Sequence, residues 1–181
     1  MNTPERLETK RLLLRPYIDS DFKSFSLLMK DESISKHHYS MVDQQTSNEE
    51  KSIFSSIINS YNSNKPIFAW AIYNKETDVL IGTCGLNSCK NNITECFYAL
   101  LPKYRRTGYA IESMQKILEF SFETLKKPQV IIYIHPNNTP AWKVAERIGM
   151  KYMGQFKHKK IIPKAMLFTI EKKEYEIKQL Y

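Results

Sequence analysis

The chain of 181 residues holds only five glycines and three cysteines, and both shortages narrow what it can be. A P-loop needs G-x-x-x-x-G-K-[ST], and the dinucleotide fingerprint needs three glycines within six residues; neither pattern occurs. Cys84, Cys89 and Cys96 are odd in number, lack C-x-x-C spacing and have no histidine cluster beside them. They predict free thiols, with no disulfide framework and no metal site. No apolar run approaches the roughly 20 residues that span a bilayer, and the start MNTPERLETKR lacks the apolar stretch of a signal peptide. The expectation is a soluble cytoplasmic protein with no membrane partner.

With 42% hydrophobic residues the chain can bury one sizeable core and is short for two, so a single domain over residues 1–181 is expected. Lys and Arg outnumber Asp and Glu by 27 to 19, for a net charge of +8. The basic residues are spread along the chain, densest at 157–160 and 172–173, and no nucleic-acid motif accompanies them. A basic surface of this kind favours anionic ligands and disfavours a polycationic substrate unless an acidic pocket offsets it; nucleic acid is not the expected partner.

One turn stands out against the glycine shortage: Tyr104-Arg105-Arg106-Thr107-Gly108-Tyr109-Ala110. Residues 93–101 before it are apolar and β-prone, Pro102 interrupts them, and Ile111, Met114, Ile117, Leu118 and Phe122 follow at helical spacing. Gly108 therefore marks a strand-to-helix turn. The first N–H groups of a helix lack partners and carry partial positive charge, so a phosphate docks there when no side chain blocks the backbone. Gly108 and Ala110 keep that approach open, and Arg105 and Arg106 add charge.

Periodicity orders the rest. A strand is predicted at 11–15, then a helix capped by Asp19 or Ser20 with Phe22, Phe25, Leu28 and Met29 on one face. An irregular linker covers 30–46. Ser47-x-x-Glu50 has the capping-box form ahead of the stripe Ile53, Phe54, Ile57, Ile58 and Tyr61. Strands at 67–73 and 79–86 flank the turn-rich 74–78 and predict a hairpin. The run 130–135 is β-branched like a buried strand, Pro140 and Gly149 bracket a short helix at 140–148, and strands at 150–156 and 165–170 precede a polar tail. The fold class is α/β (α+β), a mixed sheet with helices on its faces.

The order Arg-x-x-Gly-x-Ala after an apolar strand resembles the acyl-CoA pyrophosphate loop of the GNAT N-acetyltransferase superfamily, which reads Gln/Arg-x-x-Gly-x-Gly/Ala. Four segments agree in order: LETKRLLLRPYIDSDF, TECFYALLPKYRRTGYAIES (which contains the loop) and HPNNTPAWKVAERIGMKYMGQF are similar to successive parts of the ribosomal-protein N-acetyltransferase branch, and LFTIEKKEYE to its closing strand and tail. The resemblance implies a GNAT-like, mostly antiparallel central sheet with helices on both faces. It also implies acetyl-CoA as acetyl donor and an amine acceptor, which in this branch is a protein or peptide N-terminus.

Carried over residue by residue, the resemblance places the N–H groups of Arg105, Arg106, Thr107, Gly108, Tyr109 and Ala110 on the pyrophosphate. The backbone near Leu100 and Leu101 lies along the pantetheine as an added strand would. Asn138 matches the family asparagine that bonds the pantetheine, though a turn residue or helix cap would look the same; Lys143 sits where a basic residue often meets the phosphates, or is one more surface lysine. Glu95 matches the Glu of the branch's Glu-x-Gly-Tyr motif. It is either the base that helps unload the amine, directly or through a water, or the solvent-facing member of an alternating strand with Ile93 and Phe97. Glu112 recurs in the family with a structural or substrate role. His37-His38-Tyr39 falls where the superfamily builds part of its acceptor site, and His135 ends a strand before the asparagine motif. Ala145 stands where many members carry a tyrosine acid, Phe97 where the branch has glycine and Ala141 where it has serine. These departures keep a second reading open, an acyl-CoA-binding sensor or interaction module without efficient turnover.

Overall fold

The computed structural model describes residues 4–35, 47–89, 92–158 and 164–179. Eight strands form one sheet in the order β1-β2-β3-β4-β5-β6-β8-β7, and the chain divides into two compact units, Met1–Gly85 with Tyr98–Lys116 and Leu86–Phe97 with Ile117–Tyr181. The sequence calls on 36–46, among them His37, His38 and Tyr39, lie outside the described residues.

In the first unit β1 (Leu7–Glu8) and β2 (Leu12–Pro16) pair antiparallel, as do β2 and β3 (Phe68–Asn74), with Leu12 opposite Asn74 and Pro16 opposite Trp70. β1 escapes the pattern reading because two residues carry no period. Leu12 and Leu14 are buried, and α1 (Phe22–Lys30) and α3 (Ser47–Ser60) bring Phe25, Leu28, Phe54 and Ile57 to the same core. There Tyr17, Phe25 and Phe54 meet with ring centroids 5.1 to 5.7 Å apart, the spacing of stabilising aromatic pairs. A short α2 (Glu32–Ser35) occupies part of the linker expected to be irregular.

The cap of α1 differs from expectation. Asp19 and Ser20 lie in a 3-10 turn, Asp19–Asp21, and the engaged carboxylate is Asp21, only 3% exposed. It takes a two-pronged bond from Arg15 (2.7 and 2.9 Å), one from the Ile18 N–H (3.0 Å) and one from the Tyr73 hydroxyl. Burial opposes its charge, but these donors outweigh burial and hold its carboxyl below the usual range. Glu50 also has a tertiary partner: its carboxylate accepts from Ser26 Oγ at 2.6 Å.

β4 (Val79–Ser88) and β5 (Thr94–Leu100) follow. At Gly82 the two strands come too close for a side chain: a Cβ there would lie 2.3 Å from Ala99 O and 2.6 Å from Leu100 Cδ2. After β5 a 3-10 turn at Pro102–Tyr104 leads to α4 (Tyr109–Glu119).

In the second unit the chain continues through a π-helical turn at Phe120–Thr124, closed by the Leu125 N–H on Phe120 O. β6 (Gln129–Ile134) runs parallel to β5, Thr94 opposite Val130 and Glu95 opposite Ile131, and antiparallel to β8 (Ala165–Glu171). The run expected to be buried on both faces alternates: Val130, Ile132 and Ile134 are buried, whereas Ile131 and Tyr133 are half-buried. α5 (Thr139–Arg147) precedes β7 (Lys151–Phe156), which pairs antiparallel with β8 through an irregularity between Tyr152 and Gly154. The polar tail is in fact a helix, α6 (Lys172–Gln179). Its sequence lacks a strong apolar stripe, and a tertiary contact anchors it, the Tyr175 ring 4.9 Å from that of Phe122. The mixed, mostly antiparallel sheet flanked by helices is the predicted fold class.

Replacing Gly82 by alanine must push β4 and β5 apart, and overpacking against backbone costs more than against a flexible side chain. Gly82→Ala is expected to lower unfolding free energy by at least about 2 kcal/mol, read from urea titration at unchanged m-value.

Candidate active site

The turn ahead of α4 lies wholly in the first unit. Arg106 takes φ +61° and Gly108 φ +85°, two left-handed residues that curl the chain before the helix. The Arg105 N–H donates to Pro102 O at 3.2 Å and so closes the preceding turn. Those of Arg106, Thr107 and Gly108 meet no backbone acceptor among the described residues, and those of Tyr109 and Ala110 open α4, where no earlier helical carbonyl exists. The donors therefore start at Arg106, one residue later than the motif alone suggests.

The two arginines separate in role. Arg105 folds back, its Nε donating to Leu100 O at 2.9 Å and its Nη2 lying 3.5 Å from Asp31 Oδ1, whereas Arg106 is exposed. Thr107 Oγ1 donates to Tyr104 O at 2.7 Å and fixes the turn from within. At the end of β5, Leu101 N–H donates to Ile81 O and Leu101 O accepts from Tyr104 N–H, so both main-chain groups of Leu101 have internal partners.

Behind the turn sits a cluster that sequence reasoning missed. Glu112 Oε2 is 2.6 Å from Arg11 Nε, and its Oε1 accepts from the Arg11 N–H (2.8 Å) and Thr9 Oγ1 (2.6 Å). Arg11 Nη1 donates to Thr107 O at 3.0 Å, and the guanidinium lies 4.5 Å from the centroid of the Tyr109 ring. Tyr109 is held in turn by Asn74 Nδ2 on its hydroxyl, 2.8 Å. Burial opposes the Glu112 charge, but the Thr9 and Arg11 donors outweigh it and keep the carboxyl below the usual range. With 101 positions between Arg11 and Glu112, no local pattern announces the pair.

The second unit holds the other candidates. Asn138 is the N-cap of α5: its Oδ1 accepts from the Ala141 N–H at 3.3 Å, which leaves the Nδ2 donors without a partner among the described residues. His135 Nδ1 accepts from the Asn137 N–H at 3.1 Å, shaping the approach to that cap. Lys143 is exposed on α5, and Ala145 is 2% exposed on its inner side. Glu95 is half-buried on β5, between the buried Thr94 and Cys96. Its charge reaches the Cys89, Cys96 and Tyr133 groups, each of which burial already pushes up and Glu95 pushes further.

Comparison with known proteins matches the description "Acetyltransferase (GNAT) domain" to residues 11–151. The chain belongs to the GNAT acetyltransferase family. It is 28% identical to the uncharacterized N-acetyltransferase YnaD of Bacillus subtilis (strain 168) over 159 residues, covering 87% of this chain and 88% of that protein. Among solved structures it superposes on a putative ribosomal-protein-serine acetyltransferase from Vibrio cholerae with TM-score 0.78 at 18% identity, over 94% of this chain and 99% of that one. Spermidine N-acetyltransferase from Vibrio cholerae, solved with CoA and spermine, gives TM-score 0.78 at 17% identity, over 93% and 99%. These two share the fold with the present GNAT protein.

The residues of the turn fit the pyrophosphate of acetyl-CoA. Among the described residues five successive N–H groups lack backbone acceptors, the glycine between them presents bare backbone, and a Cβ at Gly108 would find only Arg11 Nη2 within 4 Å, at 3.2 Å. Among the described residues no group of three His, Cys, Asp or Glu could hold a metal ion, and no helix is long and apolar enough to cross a membrane.

Gly108→Val adds a branched side chain at a positive φ, where its Cβ would press on Arg11 Nη2, and strains the backbone that carries the donors. The variant is expected to keep its circular dichroism spectrum and lose at least about tenfold in CoA affinity by calorimetry, since it displaces charge-assisted hydrogen bonds.

Proposed function

We propose that this GNAT protein transfers the acetyl group of acetyl-CoA to a primary amine, with a protein or peptide N-terminal α-amine as acceptor. The carrying observation is the turn from Arg106 to Ala110, whose open N–H groups head a helix inside the matched family region. Acetyl-CoA supplies an activated thioester. The chain's own residues bind, orient and manage protons.

The pyrophosphate rests on the N–H groups of Arg106 to Ala110, with the exposed Arg106 adding charge and Arg105 bracing the turn from behind. Asn138 Nδ2 is the donor available to a pantetheine amide, and Lys143 is an exposed cation on the same helix. The nucleophile must be neutral at attack: an α-amine has a pKa of roughly 8 and a lysine amine roughly 10.4. Glu95, half-buried, takes that proton directly or through a water. Ala145 leaves no acid at the place of the superfamily tyrosine, and the departing thiolate, with a thiol pKa of about 8.5, takes its proton from solvent.

An N-terminal α-amine suits this chain better than a polyamine, because a net charge of +8 repels a polycation while an α-amine presents one charge with an extended peptide behind it. The buried alanine at position 145 favours a second reading, an acyl-CoA-binding module without efficient turnover. Amine-dependent thiol release from acetyl-CoA separates the two.

Glu95→Gln is expected to lower kcat by roughly ten- to a thousandfold with little change in acetyl-CoA affinity. The deficit shrinks as pH rises and the amine deprotonates unaided; wild-type turnover across the whole pH range would remove Glu95 from the chemistry. In an acceptor panel read by mass spectrometry, peptide N-termini are expected to be acetylated in preference to spermidine and aminoglycosides. Efficient spermidine modification with no peptide product would overturn the acceptor and leave the family membership standing.

A further inference from the structure

Glu112 stands in the first turn of α4, its N–H on Gly108 O at 3.1 Å. A carboxylate there is favourable to the bare helix, yet it opposes any phosphate brought to the same N–H groups. The pair it forms is not an ordinary surface ion pair, which contributes little. Glu112 is 18% exposed and takes three donors from the segment 9–11, while Arg11, 42% exposed, reaches past it to the carbonyl of Thr107. Arg11 touches the turn itself at two places, Thr107 O and the Tyr109 ring, and its Nη2 lies where a Cβ on Gly108 would come within 3.2 Å.

We infer that Arg11 is a positioning residue for CoA binding: its guanidinium cancels the Glu112 charge beside the phosphate turn and pins the Thr107 carbonyl, so that the N–H groups of Arg106 to Ala110 stay open and still for the pyrophosphate. The inference rests on reading that turn as the pyrophosphate site. A lysine cannot substitute fully, because the planar fork bonds Glu112 and Thr107 O together, whereas an ammonium is a point charge. The neutralised carboxylate also explains how an acidic residue is accommodated one turn from a bound anion.

The test uses the full chain with Arg11→Met, Arg11→Lys, Glu112→Gln and the double variant Arg11→Met/Glu112→Gln. Acetyl-CoA affinity is read by calorimetry, and the turn by trypsin cleavage after Arg105 or Arg106 in the unliganded protein. Arg11→Met is expected to weaken acetyl-CoA by roughly ten- to a hundredfold, the range for hydrogen bonds to charged groups, and to speed cleavage severalfold. Arg11→Lys falls between it and wild type. The double variant binds about tenfold tighter than Arg11→Met, because the uncompensated carboxylate is gone, yet its turn stays readily cleaved. A purely structural pair predicts the reverse, with the double variant no better than the single.

Wild-type affinity in Arg11→Met, or a double variant no tighter than Arg11→Met, overturns the inference. Two failures remain distinguishable. If Gly108→Val leaves affinity unchanged, the pyrophosphate is not at this turn and the inference falls with that reading. If Gly108→Val abolishes binding and Arg11→Met does not weaken it, the reading stands and the inference alone falls.

Discussion

A turn that binds phosphate through its backbone must leave its N–H groups without partners and still hold its chain in place, although hydrogen bonding is the ordinary means of holding a chain in place. In the turn proposed for the pyrophosphate, several neighbouring groups are bonded while these donors are not. The carbonyl of Thr107 goes to Arg11, the hydroxyl of Thr107 to Tyr104 O, the side chain of Arg105 to Leu100 O and the Tyr109 hydroxyl to Asn74. The left-handed backbone at Arg106 and Gly108 curls the chain into α4 with those N–H groups lacking backbone acceptors among the described residues. Fixing donors in advance favours binding because the ordering entropy is not lost when the ligand arrives.

The same economy of partners governs the core of the first unit. Asp21 is nearly inaccessible and carries a charge, which is tolerable only because Arg15, Tyr73 and the Ile18 N–H meet both of its oxygens. That network joins β2, β3 and the start of α1 at one point. Gly82 contributes by absence, since its missing side chain lets β4 approach β5 near Ala99 and Leu100, at the strand end that leads to the turn ahead of α4. A larger residue there would displace the strand end from which the turn is hung.

The chemistry asked of the second unit is modest. Its candidate base is a half-buried glutamate on β5, and its candidate pantetheine contact is the cap of a short helix whose capping bond uses one face of the Asn138 amide and leaves the other. With Ala145 packed inward, no acidic side chain stands at that position, and in the proposed reaction the leaving thiol's own acidity would have to carry the step. The fold gives no vote on the acceptor: a putative ribosomal-protein-serine acetyltransferase and a spermidine N-acetyltransferase superpose on it equally well.

Much of the architecture was written locally. Alternation and helical spacing located the strands and the main helices to within a residue or two, and Gly108 marked the start of α4, because period and turn chemistry act over a few neighbours. What the sequence could not express was partnership. The cap expected at Asp19 or Ser20 yielded to Asp21 with Arg15, since a buried carboxylate takes the strongest donor in space, not the nearest in sequence; Glu50 also meets Ser26 on another helix, a partner no local pattern announces. The tail became α6 through the contact of Tyr175 with Phe122, and β1 arose by pairing with β2. The sequence by itself determined most of the secondary elements, the family motif and the charge of the turn ahead of α4; only the tertiary structure decided which N–H groups remain open and that Arg11, 101 residues away, meets Glu112 beside them, because hydrogen-bond partners are assigned by the folded arrangement and carry no local signature.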